Sequence, residues 1–141
     1  MIKVIAGGKK SRGWVAEACA EYEKRLGRYW ALEWRFVDDD KVDGEVAKID
    51  KGDFVIVLDE RGKNISSPEL SAVLSEQIEL GRNMCMVIGG AYGVNDETRK
   101  RANLVWSLSK LVFPHEIVRV LLAEQVYRAQ EIYQNHPYHH G

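Results

Sequence analysis

The chain has 141 residues, 20 Lys+Arg against 21 Asp+Glu, a formal net charge of -1 and 45% hydrophobic residues. That length allows one folded domain, 1–141, with a real core, and the balanced charge offers no general basic surface for nucleic acid. No apolar run reaches membrane-span length and the N-terminus lacks a signal-peptide pattern, so a cytoplasmic protein is expected.

Ile2 to Ala6 forms a short apolar strand that ends at two glycines. Trp14, Val15, Ala18, Cys19, Tyr22 and Leu26 then recur at helical spacing. Glu21 and Arg25 pair at i, i+4 on the wet side, and Gly27 is placed to stop the helix. "LEWRFVD" from Leu32 alternates as a strand, and "DDDKVDGEVAKIDKG" is an acidic connection with room for a helical turn.

"DFVIVLDE", from Asp53 to Glu60, is the continuous apolar run of a strand buried on both faces of a parallel sheet. "ERGKN" is expected to turn the chain. Ser67 and Pro68 suit the N-cap and first position of a helix that buries Leu70, Val73, Leu74 and Ile78 and ends at Gly81. "NMCMVIG" is the next buried strand, and it runs into the glycine-rich turn "GGAYG". Asn95-Asp96-Glu97 opens a short charged helix, and "NLVWSLS" reads as a last strand.

The final helix, from Pro114 to about Tyr133, crowds together Ile117, Val118, Val120, Leu121 and Leu122. A helix covering one face needs only a stripe. This one points to a subunit interface, with a central core helix as the alternative. Alternating strands and helices make the fold α/β with a mostly parallel sheet, and a ligand is expected near the carboxyl ends of the strands.

The common chemical motifs fail. "GGAYG" has neither the spacing nor the position of a dinucleotide fingerprint, and "AGGKKSRG" fits neither that nor a phosphate loop. Cys19 and Cys85 lie among apolar neighbours and read as buried free thiols. The basic clusters Lys9-Lys10-Arg12, Lys24-Arg25-Arg28 and Arg99-Lys100-Arg101 read as solvated faces. His136, His139 and His140 crowd the C-terminus without partners for a metal site, so no metal is expected. Yet "HPYH" joins an aromatic ring and imidazoles that can stack on a base or exchange a proton.

The ordered segments "VLDERGK", "IGGAYG", "WSLSKLVFPHEIVRVLLAEQVYRAQEI" and "NHPYHH" resemble the RlmH family of SPOUT-class large-subunit rRNA methyltransferases. The resemblance covers essentially the whole chain, apart from an acidic connection shorter than the family's. It implies a C-terminal trefoil knot and a homodimer. It also implies S-adenosylmethionine bent against backbone turns at Leu58, Gly89 and the loop Leu108, Ser109, Lys110, Leu111, Val112 and Phe113. The implied reaction methylates N3 of a pseudouridine in the helix 69 region of 23S rRNA, in assembled ribosomes. His139 is the candidate for taking the N3 proton or holding the imide oxygens, Tyr138 for stacking on the base, and Arg128 for stabilising the developing charge or gripping a phosphate. Arg119 and Glu124 are expected to pair structurally. A side chain on Gly89 is expected to collide with the cofactor. The alternatives are another SPOUT enzyme acting on tRNA or a different rRNA base, a ribosome-binding factor without turnover, and a flavodoxin-like nucleotide module.

Overall fold

The computed structural model describes residues 1–140. Gly141, the end of the "HPYHHG" tail, lies outside the described residues. The strands are β1 (Ile2–Gly7), β2 (Leu32–Val37), β3 (Phe54–Asn64), β4 (Met84–Ile88) and β5 (Leu104–Ser107). The helices are α1 (Gly13–Glu23), α2 (Val42–Ala47), α3 (Ser67–Glu79), α4 (Asp96–Arg101) and α5 (His115–Tyr133). The strands form one five-stranded, wholly parallel sheet in the order β2-β1-β4-β3-β5.

Strand alternation divides the core into two layers. Val4, Ile56, Met84, Met86 and Ile88 face one side, where Leu70 and Leu74 of α3 and Leu122, Val126 and Ala129 of α5 cover them. Ile5, Val55, Val57, Cys85 and Val87 face the other, covered by Val42 and Val46 of α2. Because both faces are covered, the central strands read as unbroken apolar runs. Leu74 and Leu122 are fully buried, and truncating such a leucine to alanine typically costs about 2–5 kcal/mol.

Several boundaries differ from the sequence expectation. α1 stops at Glu23 rather than Gly27, and the Gly27 N–H instead donates to Gln130 Oε1 at 2.6 Å. Gln130 Nε2 donates to the Arg25 carbonyl at 3.0 Å, so α5 fixes the chain leaving α1. Trp14, expected on the buried face of α1, is 63% exposed. Ser66, not Ser67, caps α3, with a reciprocal box to Glu69.

"ERGKN" does not end β3. The strand loops out after Leu58 and rejoins β5 at Lys63. Gly62 permits this because a Cβ there would overlap the Val105 backbone. The acidic connection is a 3-10 turn, Asp39–Lys41, leading into α2, and its Val42 and Val46 supply the second layer of the core. Cys19 and Cys85 are buried free thiols, and burial pushes each to about 11.

Candidate active site

A cleft of about 340 Å³ opens at the carboxyl ends of β3, β4 and β5, beside the start of α5. Residues 58–61, 88–94, 106–109 and 111–113 line it, with Arg99, His115 and Val118. Parallel sheets place ligands at this end because loops there leave backbone groups that no neighbouring strand consumes.

The turn after β4 is closed by the Gly93 N–H donating to the Gly90 carbonyl at 3.0 Å, with Gly93 at φ 76°. A Cβ on Gly89 would lie 2.9 Å from the Gly93 carbonyl carbon. Glycine at 89 is therefore required by the turn's own closure, apart from any contact with a ligand. A Cβ on Gly90 would overlap the Asp39 carboxylate. Tyr92, at the tip of the turn, is fully exposed.

Carboxylates from the acidic connection hold both ends of this turn. Asp39 Oδ2 accepts the Ala91 N–H at 3.2 Å. Asp43 Oδ1 accepts the Asn95 N–H at 3.1 Å and the Thr98 hydroxyl at 2.6 Å. Arg99 joins the turn to β3, donating to the Val94 carbonyl at 2.6 Å and to Asp59 at 3.3 Å, and it also pairs with Asp96. The Asp96 hydrogen bond is the largest cause raising the Arg99 pKa. No helical or strand periodicity marks Asp39 or Asp43, so sequence reasoning had no signal for them. His115, in contrast, stands where "FPH" opens the last helix, and that position was a readable signal.

The opposite wall, 108–113, is shaped by serines. Ser107 Oγ donates to the Ser109 carbonyl at 2.8 Å, and Ser109 Oγ accepts the Leu111 N–H at 3.0 Å. The main chains of Lys110, Val112 and Phe113 have no protein hydrogen-bond partner among the described residues. Of the expected cofactor residues, Leu58, Gly89, Leu108, Ser109, Leu111, Val112 and Phe113 line the cleft, whereas Lys110 does not. A pocket walled by backbone turns fits S-adenosylmethionine, whose adenine edge needs main-chain donors and acceptors.

Arg128, Tyr138 and His139 come together elsewhere. Arg128 Nη1 lies 3.0 Å from His139 Nδ1, and its guanidinium sits 4.7 Å over the Tyr138 ring. Arg128 pairs with Glu124 at 2.8 Å, and the Tyr138 hydroxyl donates to the same carboxylate at 2.9 Å. Burial, and then the Glu124 bond, push Tyr138 up to about 12, so its phenol remains a donor at neutral pH. None of the three lines the cleft. Val118 is the farthest α5 residue that does, and Arg128 lies about 15 Å further along the helix axis. Glu124 thus pairs with Arg128 rather than Arg119, and Arg119 pairs with Glu116 at 3.1 Å.

Among the described residues there is no cluster able to hold a metal and no helix long and apolar enough to cross a membrane. The chain matches the family model described as "Predicted SPOUT methyltransferase" over residues 1–139. It is 43% identical over 152 aligned positions to the "Ribosomal RNA large subunit methyltransferase H" of Neisseria gonorrhoeae, covering 98% of this chain and 97% of that protein. It is 40% identical to the protein of the same name from Thioalkalivibrio sulfidiphilus, with the same coverage. A Haemophilus influenzae structure described as a probable methylase family protein superimposes with a TM-score of 0.56 at 15% identity, over 95% of this chain and 66% of that one, and shows the shared fold. With its parallel sheet, its backbone-walled cleft and these full-length matches, the chain belongs to the SPOUT methyltransferase family, among the ribosomal RNA large subunit methyltransferase H proteins.

Proposed function

We propose that this protein methylates N3 of a pseudouridine in the helix 69 region of 23S rRNA, in assembled ribosomes, as a cytoplasmic homodimer of single-domain chains. The observation that carries this reading is the separation of a backbone-walled cleft from an Arg128–Tyr138–His139 cluster that its own chain does not bring to it. A dimer in which each tail serves the partner's cleft reunites them. Half-exposed Ile117 and Leu121 on α5 and exposed Trp14 on the adjacent α1 supply apolar surface for that contact. The route from β5 at one sheet edge back to α5 against α1 and α3 fits the trefoil knot of this class.

When bound, S-adenosylmethionine supplies a methyl group already activated by its sulfonium. The imide nitrogen must lose its proton, which passes to solvent water, before it attacks. Arg128 is always protonated and donates, so His139 Nδ1 accepts and the neutral ring carries its proton on Nε2. That tautomer favours His139 as a donor to the imide oxygen that gains charge, rather than as the proton acceptor. Arg128 adds positive charge beside it, and Tyr138, one ring face of which lies under that guanidinium, is assigned to stack on the base. The remaining wall residues hold the cofactor and the base in line, an alignment worth up to about 7–11 kcal/mol in well-oriented reactions.

The deciding experiment is methyl-label transfer from S-adenosylmethionine to ribosomes from cells lacking the gene. Assembled particles and isolated large subunits are compared, and the labelled nucleoside is mapped by mass spectrometry. Label at pseudouridine N3, favouring assembled particles, is expected. Label at another base or in tRNA would move the protein to a different SPOUT substrate. Cofactor binding without label on any RNA would leave a ribosome-binding factor.

A further inference from the structure

The loop between β1 and α1, residues 8–12, is ordered from beneath by a buried cation. Arg119 has no exposed surface, which is rare for a guanidinium. It donates to the Gly7 carbonyl at 2.9 Å, the Lys9 carbonyl at 2.8 Å and Ser11 Oγ at 2.9 Å, and lies 4.8 Å over the Phe36 ring. Gly8, at φ 106°, passes so close that a Cβ there would be 3.1 Å from Arg119 Nη2. A buried charge that cannot reach solvent is thus tied to holding a surface loop in shape.

That loop presents Lys9, Lys10 and Arg12, all exposed and without ion-pair partners among the described residues. The other basic clusters are largely engaged. Lys24 and Arg25 pair with Glu21, Arg99 pairs with Asp59 and Asp96, and Arg101 donates to the Asp50 and Asp53 carbonyls. The end of β1, from which the loop departs, abuts the glycine turn, since a Cβ on Gly7 would lie 2.7 Å from the Gly90 nitrogen. A Cβ on Gly8 would lie 3.6 Å from Nε2 of His115, which lines the cleft, so the loop leaves the fold at the side of the cleft whose glycine turn carries the fully exposed Tyr92.

We propose that this lip is an RNA-docking surface, in which Lys9, Lys10 and Arg12 take backbone phosphates and Tyr92 stacks on an unpaired base. It rests on the rRNA methyltransferase reading and names where the substrate enters. A pre-ordered row of cations beside a free ring is the chemistry that grips single-stranded RNA. It also explains how a chain of net charge -1 can hold a polyanion. Lys9, Lys10 and Arg12 stand together in one short loop, so its local charge is positive although the net charge of the chain is not.

The experiment measures binding of the full chain to ribosomes, purified from cells lacking the gene, across a salt series. For Lys9→Ala/Lys10→Ala/Arg12→Ala, the slope of log affinity against log salt should become shallower by roughly 2–3, since each phosphate contact contributes about 0.7–0.9. Its affinity for S-adenosylmethionine should stay at the wild-type value, and Lys51→Ala/Lys100→Ala should keep the wild-type slope. Tyr92→Ala should bind ribosomes roughly 5- to 150-fold more weakly with the slope unchanged, and Tyr92→Trp should restore binding. A triple variant with the wild-type slope, while the wild type binds and methylates, overturns the lip and leaves the enzyme reading intact. A triple variant that sediments as a monomer also overturns it, making the lip a subunit contact. A wild type that binds the cofactor but neither binds nor methylates ribosomes defeats the enzyme reading first.

Discussion

The two ends of α5 carry the same pair of side chains in opposite surroundings. Near its start Arg119 meets Glu116 at 3.1 Å with the arginine side chain fully buried, and near its end Arg128 meets Glu124 at 2.8 Å with 26% of the arginine side chain exposed. Arg119 directs its Nη groups at carbonyls and a hydroxyl of the β1–α1 segment. Arg128 directs one Nη at a histidine and lays its plane on a tyrosine. Burial decides the use of each charge. A sealed guanidinium organises the backbone around it, and a partly open one keeps part of its surface in reach of solvent.

The largest effect expected from this contrast is on turnover at the open end. His139→Ala should lower kcat on ribosomes by about 100- to 1,000-fold, the usual loss for one donor to a developing oxyanion. The urea unfolding midpoint should hardly move, because the tail lies at the surface. His139→Gln keeps an N–H donor and should recover part of the rate. If histidine were instead the base, glutamine would be as inactive as alanine. At the sealed end the order reverses. Arg119→Met should cost about 3 kcal/mol in urea unfolding, because the Gly7 and Lys9 carbonyls lose a charged donor. An Arg119 variant of wild-type stability would break the comparison.

Sequence patterns carry the layers of this fold better than its site. The continuous apolar run through Val55, Ile56 and Val57 correctly implied a strand buried on both faces. Ser67 and Pro68, read as the N-cap and first helical position, located the start of α3 to within a residue. These features were legible because local spacing and burial act on the same residues. The site was legible only where glycines or a resemblance marked it. Asp39 reaches Ala91 and Arg119 reaches Lys9 across long separations in sequence, and no periodicity encodes such contacts. Trp14 misled for the opposite reason, because helical spacing alone does not say whether a large apolar residue at the edge of the stripe faces the core or the surface.

Asp39 sharpens the comparison from the other sign of charge. It is a carboxylate at the surface used only to hold backbone, accepting the Ala91 N–H while packing on Gly90. Asp39→Ala should weaken S-adenosylmethionine binding by roughly tenfold, about 1.4 kcal/mol, by loosening one wall of the cleft. Calorimetric titration would show this as a raised Kd, with kcat at saturating cofactor nearly unchanged. Asp39→Asn keeps an acceptor of the same shape and should bind nearly as well as the wild type. A fall in kcat without a change in Kd would mean that the carboxylate acts on the reaction rather than on the turn.

The smallest expected effect lies between the two ends, at Cys19 in the seam with Val15 and Ala123. Burial first, and then Glu23, push its thiol from 9.0 to about 11, while Arg119 pulls it the other way. The folded pKa is therefore above the unfolded one, so the thiol's contribution to stability is complete below pH 9 and is lost as pH rises through 11. Alkylation of the folded protein should stay slow at pH 8 and accelerate only towards pH 11. In Arg119→Met the opposing cation is gone, so the midpoint of that acceleration should move slightly higher. Arg128→Ala, at the far end of the helix, should leave it where it is. Equal shifts in both variants would mean that the seam transmits charge along α5, and the division between its ends would then be less sharp than the contacts imply.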